Sequence, residues 1–233
     1  RNRTSPFAFT GNKFEFRMVG STQSISDPNV VLNTIVADVF ADVCDRLEKV
    51  EGGVEAVAME AHEITKELLT QHQRVIFNGD GYSDEWVAEA EKRGLPNVKS
   101  FVEAIPYLVT DKTISMFERQ GVMTKTELES RAEINYETYS KTINIEAKTM
   151  IDMAGKQYIP AVISYVTTLA DSINSITAAC DSADVSVQKD LLTRCSALLA
   201  KAQSALANLE NVESLAAAKS EGQEQAMYFR EVV

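Results

Sequence analysis

The chain has 233 residues, 45% of them hydrophobic, which suffices for one or two globular domains with a sizeable core. Asp and Glu number 34 against 23 Lys and Arg, so the formal net charge is −11. This balance disfavours nucleic acid and anionic lipid surfaces, because their phosphates repel an acidic protein. No run approaches the roughly 18 apolar residues of a membrane span, and the first residues lack the apolar part of a secretory signal. We therefore expect a cytoplasmic chain with no nucleic-acid partner and no membrane partner.

The side chains that most often bind metals or form disulfides are few and scattered. Cys44, Cys180 and Cys195 are odd in number and lie in helix-like apolar patterns, which is typical of small buried side chains in a reducing compartment. We expect free thiols. His62 and His72 fall on nearly opposite faces of one predicted helix, so they should be exposed or capped and should not share a metal.

The first twenty residues differ in pattern from the rest of the chain. Residues 13–18 alternate polar and apolar side chains, which predicts one short strand. The alternation puts three charged residues on one face and three apolar residues on the other: Lys13, Glu15 and Arg17, and Phe14, Phe16 and Met18. We expect the apolar face to lie against the core.

Beyond this strand the pattern becomes helical. Asp27 is a suitable N-cap and Pro28 a suitable first residue for a helix that should end before Gly52-Gly53. A second helix is expected over about residues 54–75. The turn signal Asn78-Gly79-Asp80-Gly81 ends it, and short helices and loops follow.

The longest helical tract begins at Thr124, which has capping-box spacing to Glu127, and should run to about Tyr158. Pro160 should kink this tract or start a new helix. Two apolar seams with alternating spacings of four and three follow: Val162, Val166, Leu169, Ile173, Ile176 and Cys180, then Leu191, Cys195, Leu198, Ala202, Ala205, Leu209, Val212 and Ala216. A short polar turn joins them, which predicts an antiparallel helical hairpin. The expected fold class is mainly α, with long antiparallel helices after one short β-strand.

The charged face of the predicted strand has two interpretations. A half-exposed sheet commonly carries a paired row of charges without any function. Alternatively, the strand lines a cleft in which Glu15 holds a hard cation and Arg17 or Arg3 binds carboxylate or phosphate oxygens. Spacing alone leaves both open.

Several stretches resemble the glutamine synthetase family, in the order expected along the chain. Residues 1–5 (Arg-Asn-Arg-Thr-Ser) and 12–17 (Asn-Lys-Phe-Glu-Phe-Arg) are similar to its Asn-Arg element and its Glu-x-Arg active-site strand. A Pro-led helix follows at residues 27–29, as in that family. Residues 77–83 (Phe-Asn-Gly-Asp-Gly-Tyr-Ser) and 141–147 (Lys-Thr-Ile-Asn-Ile-Glu-Ala) resemble the large type III branch, so the chain looks like its carboxyl-terminal portion.

The resemblance implies roles for four residues. Arg3 would contact the transferring phosphoryl group, and Glu15 would bind the metal on the nucleotide side. Arg17 would bind the substrate glutamate, and Lys13 lies where other members have an arginine near the nucleotide. The connection between the Asn-Arg element and the strand is shorter than in the common members, which leaves the nucleotide contacts of that stretch open.

The same resemblance implies an ATP-dependent glutamate–ammonia ligase that makes glutamine through glutamyl phosphate, with ATP and Mg²⁺ or Mn²⁺ as cofactors. The parent would be a homo-oligomer of stacked rings. Residues 1–50 would end an α+β catalytic domain, 51–123 would form a loop-rich section and 124–233 a long-helix region. The other active-site groups would lie outside this chain, so the chain alone should be inactive. The alternative is a non-catalytic helical scaffold, in which Glu15 and Arg17 merely pair and the heptads bind partner helices.

Overall fold

A computed structural model describes residues 7–11, 13–17, 20 and 23–233. Arg3 and Met18, named above, lie outside these described residues. The chain divides into two compact units, Arg1–Glu129 and Ser130–Val233. Of the described residues 75% are helical, and those near the amino terminus form a small antiparallel sheet, so the expected mainly α fold class is confirmed.

The first unit begins with a two-stranded antiparallel sheet, here called the amino-terminal sheet, formed by β1 (Phe7–Phe9) and β2 (Phe14–Phe16). In the connecting turn the Thr10 N–H donates to the Lys13 carbonyl at 2.9 Å. Gly11 adopts a φ of 104°, which is costly for residues with a Cβ. The sequence predicted β2 alone, because three residues are too few for an alternation signal in β1.

Four phenylalanines share one face of the amino-terminal sheet, here called the phenylalanine face: Phe7, Phe9, Phe14 and Phe16. Phe14 is 60% exposed and Phe16 44%, so the expectation that their side of β2 lies against the core is wrong for this chain. The Phe14 ring instead stacks on Phe7 at 5.0 Å between centroids. The buried residue of the sheet is Ala8, which pairs with Glu15 and so lies on the charged side.

In the described part of the first unit, five α-helices lie wholly within the unit, together with two short 3₁₀ turns. The helices are α1 (Ser26–Leu47), α2 (Gly53–Gln71), α3 (Asp84–Lys92), α4 (Phe101–Ala104) and α5 (Asp111–Arg119), and the turns are Gln73–Val75 and Ile105–Val109. Ile25, rather than Asp27, is the N-cap of α1. Asp27 lies in the first turn, where a carboxylate still interacts favourably with the helix dipole.

The core of the first unit forms where α1 and α5 meet the start of the next helix. Ile114, Phe117 and Leu128 are buried there, and Val30 and Val31 of α1 pack against them. Polar contacts surround this core. The Arg119 Nε donates to Asp38 Oδ1 at 2.7 Å and links α5 to α1, while Arg46 of α1 binds two glutamates of α2, Glu60 and Glu67.

The predicted capping box opens α6 (Lys125–Met153). The Thr124 N–H donates to Glu127 Oε2 at 2.7 Å, and the Glu127 N–H donates to Thr124 Oγ1 at 3.4 Å, which confirms the prediction. A π-helical turn, Ala154–Tyr158, joins α6 to α7 (Ile159–Ala179). Pro160 explains this turn, because it cannot donate to the carbonyl four residues before it.

The second unit contains the helical hairpin of α7 and α8 (Ser186–Ala217), followed by α9 (Gln223–Glu231). The seam of α7 is confirmed at Leu169, which is buried, and at the half-buried positions around it: Val162, Val166, Ile173 and Ile176. Cys180 is exposed at the end of that seam. Among the described residues, no helix is both long enough and apolar enough to cross a membrane.

The predicted seam of α8 is confirmed at Ala216, which is buried, and at four half-buried positions: Leu191, Cys195, Leu209 and Val212. It is wrong in the middle of the helix, where Ala202 is exposed. Leu198 is 55% exposed and Ala205 is also exposed, whereas Leu206 is only 8% exposed and Leu199 is half-buried.

Leu199 and Leu206 are themselves one heptad apart, so the sequence offers two neighbouring stripes with the same period. The stripe through Leu199 and Leu206 buries more apolar surface, because it has Leu206 where the other stripe has the smaller Ala205. Leu206 packs beside Gly155, where an added Cβ would lie 3.8 Å from Leu206 Cδ2.

Candidate functional site

Strand β2 brings the charged residues Lys13, Glu15 and Arg17 together on one side of the amino-terminal sheet, here called the charged face. Glu15 Oε2 accepts hydrogen bonds from Arg17 Nη2 at 2.7 Å and from Arg17 Nε at 3.2 Å. The Lys13 Nζ lies 3.7 Å from Glu15 Oε1. The alternation in the sequence therefore predicts correctly that these three side chains share a face.

The three side chains differ in exposure. The side chain of Lys13 is 66% exposed, that of Glu15 38% and that of Arg17 26%. The Arg17 hydrogen bond is the main cause that lowers the pKa of the Glu15 carboxyl, partial desolvation opposes it, and the charges of Arg17 and Lys13 add to the lowering. Glu15 is therefore ionised at neutral pH, and its two oxygens have different environments.

The geometry of Glu15 suits one ligand of a hard divalent cation. Arg17 binds Oε2 of the Glu15 carboxylate. Within the described residues, the contact of Oε1 is the more distant Lys13 ammonium, which leaves this oxygen accessible to a cation. In the described part of the chain no three His, Cys, Asp or Glu side chains come close enough to hold a metal ion together. Glu15 would therefore supply a single ligand to a cation whose other ligands come from elsewhere.

Arg17 is fixed by its two contacts to Glu15, so its planar guanidinium has a defined orientation at the edge of the charged face. An arginine held in this way is suited to bind a carboxylate or phosphate. Arg3, the other arginine that the sequence predicted for this site, lies outside the described residues.

A turn is present at residues 80–83, close to the turn predicted at 78–81. The Tyr82 N–H donates to Asp80 Oδ1 at 3.0 Å, and the Ser83 N–H donates to the Asp80 carbonyl at 3.2 Å. Gly79 lies against the Phe77 ring, since an added Cβ would be 2.5 Å from Phe77 Cζ. A side chain at this position would therefore collide with the ring.

An aromatic cluster that was not predicted from the sequence packs beside this turn. The rings of Phe77 and Trp86 stack with centroids 4.2 Å apart, and the Arg93 guanidinium lies 5.5 Å from the Trp86 ring centroid. Arg93 Nη1 also donates to the Ile76 carbonyl at 2.9 Å. The spacing of Trp86 and Arg93 could have predicted their contact, because residues two helical turns apart lie on one face of a helix.

The remaining candidate side chains form no site with one another. His62 and His72 are exposed, as expected. The three cysteines are free, as expected, but Cys44 and Cys180 are exposed, so the prediction that they are buried is wrong. Cys44 lies on an outer face of α1, and Cys180 lies at the end of α7 where the apolar seam stops.

A family model described as the glutamine synthetase C-terminal domain matches residues 60–177. The chain belongs to this family. It is 45% identical over 176 residues to a type-3 glutamine synthetase of Dictyostelium discoideum, covering 76% of this chain and 24% of that protein. It is 37% identical over 238 residues to a glutamine synthetase of Butyrivibrio fibrisolvens, covering 100% of this chain and 33% of that protein.

A glutamine synthetase of Bacteroides fragilis (strain YCH46) is 34% identical over 177 residues, covering 74% of this chain and 24% of that protein. This chain therefore spans about a quarter to a third of the length of these curated relatives. The resemblance to the glutamine synthetase family and to its type III branch is confirmed. The family model begins beyond β2, and the roles of Glu15 and Arg17 stay predictions.

Proposed function

We propose that this chain is the carboxyl-terminal portion of an ATP-dependent glutamate–ammonia ligase of the type III glutamine synthetase branch. The family match and the much longer relatives that carry this name support the proposal. Residues 1–50 would be the end of the α+β catalytic domain, 51–123 a loop-rich section and 124–233 a long-helix region. The other parts of the active site would lie in the rest of the full-length protein, and the isolated chain would be inactive.

The observation that carries the proposal is the environment of Glu15. Its carboxylate is ionised, it is oriented by Arg17 through one oxygen, and it presents the other oxygen at a partly exposed position. In this proposal that oxygen binds Mg²⁺ or Mn²⁺. The metal ion would reduce the repulsion between the carboxylate of glutamate and the phosphates of ATP.

The neighbouring cations of the charged face complete the proposed roles. Arg17 binds the substrate glutamate, because a guanidinium offers two parallel N–H donors to a carboxylate. Arg3 contacts the phosphoryl group in transfer, and Lys13 lies beside the nucleotide. Together these groups would hold two anions close enough for the glutamate carboxylate to attack the terminal phosphate of ATP, after which ammonia displaces phosphate and glutamine forms.

The test is Glu15→Gln in the full-length protein, since glutamine keeps the shape of the side chain and removes its charge. We expect metal-dependent glutamine formation to fall about a hundredfold or more, with an unchanged melting temperature. Glu63→Gln is the matched control, because Glu63 is also exposed and also pairs with a lysine, Lys66, at 3.3 Å. Turnover within about twofold of wild type in Glu15→Gln would remove Glu15 from the site.

We also propose that the helical hairpin contributes to contacts between subunits of a homo-oligomer of stacked rings. Leu198 of α8 is 55% exposed and Ile163 of α7 is 49% exposed, so the hairpin presents apolar side chains on its outer surface. Deleting residues 186–216 from the full-length protein should reduce the size of the assembly in light scattering. An assembly of unchanged size would contradict this role.

The exposed apolar side chains of the hairpin also keep a second candidate function open, that of a helical scaffold without catalysis. The two candidates differ in what Glu15→Gln does: it would leave the function of a scaffold intact and would stop a ligase. For either function we propose a cytoplasmic location, since three free thiols suit a reducing compartment.

A further inference from the structure

The two oxygens of the Glu15 carboxylate are held with different strength. Oε2 accepts two hydrogen bonds from Arg17, at 2.7 and 3.2 Å. Oε1 faces the Lys13 ammonium at 3.7 Å, a separation longer than a hydrogen bond. Arg17 therefore orients the carboxylate, while Lys13 mainly balances its charge.

Lys13 combines a fixed backbone with a mobile side chain. Its carbonyl accepts hydrogen bonds from the Thr10 N–H at 2.9 Å and from the Thr10 hydroxyl at 3.2 Å, which anchors the residue in the turn before β2. Its side chain is 66% exposed and ends in a strongly hydrated ammonium on a flexible four-carbon stem. Exposed ion pairs of this kind are weak, so the ammonium can leave Oε1 without disturbing the strand.

We propose that Lys13 is an internal counter-ion that competes with the divalent cation for Glu15 Oε1. The inference rests on the proposed function, in which Glu15 is a metal ligand. Without the cation the Lys13 ammonium balances the charge of Oε1. When the cation is bound, Oε1 would bind the cation, the Lys13 side chain would move away from Oε1, and Arg17 would keep its hydrogen bonds to Oε2.

In this arrangement Lys13 should lower the affinity of Glu15 for the metal ion. A positive charge about 4 Å from the ligand oxygen repels an incoming divalent cation and must be displaced from the oxygen. Removing that charge should therefore strengthen metal binding, although lysine is one of the residues expected at the active site. Because the pair is exposed to solvent, salt should screen the effect.

The test measures Mn²⁺ binding to the full-length protein by electron paramagnetic resonance of free Mn²⁺, without nucleotide or glutamate. The Glu15-dependent binding step is the one that differs between wild type and Glu15→Gln. We expect Lys13→Met to bind Mn²⁺ in this step about three- to fivefold more tightly than wild type, with a smaller gain at high salt. Lys13→Arg, which keeps the charge, should match wild type.

The matched control is Lys66→Met, which removes an equally exposed lysine from an ion pair with Glu63 on α2. It should leave Mn²⁺ binding unchanged. If Glu15→Gln weakens binding but Lys13→Met binds as wild type or more weakly, the role of Lys13 is refuted and the metal-ligand role of Glu15 stands. If Glu15→Gln binds Mn²⁺ as wild type does, the metal-ligand role of Glu15 fails, and the role of Lys13 fails with it.

Discussion

The amino-terminal sheet and the helical hairpin use their side chains in opposite ways. The sheet has three-residue strands, exposes its phenylalanine face and gathers three charged residues around one carboxylate. The hairpin has two long helices that bury an apolar seam between them. Few contacts stabilise the first, and many stabilise the second. In the proposed function, the chemistry of this chain would lie where packing is weakest.

Because of this contrast, we expect substitutions in the two regions to affect different properties of the protein. A change on the charged face should alter binding or turnover and leave the free energy of unfolding almost unchanged. A change in a buried seam should do the reverse. Three substitutions test this division.

The largest effect on stability is expected in the seam of α8. Leu206→Ala should lower the free energy of unfolding by about 2–4 kcal/mol, because Leu206 is only 8% exposed and its loss leaves a cavity beside Gly155. Leu198→Ala is the control, since Leu198 is 55% exposed and should cost less than about 1 kcal/mol. Chemical denaturation of both variants measures the difference. Equal losses would mean that the seam runs through Leu198, as the sequence pattern first suggested.

The next effect is expected on the charged face, in Arg17→Lys. Lysine keeps the charge but cannot make the two contacts that Arg17 makes to Glu15 Oε2. We expect the KM for glutamate in the full-length enzyme to rise about ten- to a hundredfold, with a melting temperature close to that of wild type. Arg74→Lys is the control, because Arg74 is an exposed arginine far along the chain from β2. An unchanged KM would remove Arg17 from substrate binding.

The smallest effect concerns the pH dependence of the contact between α1 and α5. Hydrogen bonds from Arg119 and then Gln120 lower the pKa of Asp38. A pKa that is lower in the folded state contributes stability above the unfolded value of about 3.9, and this contribution is lost as the pH falls through the folded value. The stability advantage of wild type over Asp38→Asn should therefore shrink from about pH 5 to about pH 3 in thermal unfolding. A constant difference would mean that the Asp38 charge does not stabilise the fold.

The sequence predicted best where a signal was local. The capping box of Thr124 and Glu127, the break near Pro160 and the turn at Asp80 all depend on residues within a few positions of one another, and all three are present. The shared face of Glu15 and Arg17 is equally local, because alternate residues of a strand point the same way.

The sequence predicted worst where two patterns were equally regular. In α8 the stripe through Leu198 and the stripe through Leu206 have the same period, and only packing against α7 and Gly155 distinguishes them. In β2 the alternation distinguishes two faces but does not say which is covered. Ala8, on a strand too short to recognise, is buried on the charged side.

Local periodicity and the order of residue types were enough to predict the family, the helical class and the set of charged residues that meet on β2. The packed fold was needed to show which leucines of α8 are buried, that the phenylalanine face is exposed and that the two oxygens of Glu15 have different partners. The physical reason is that burial and ion pairing depend on which surfaces meet in space. A repeating pattern along one element carries no information about its neighbour.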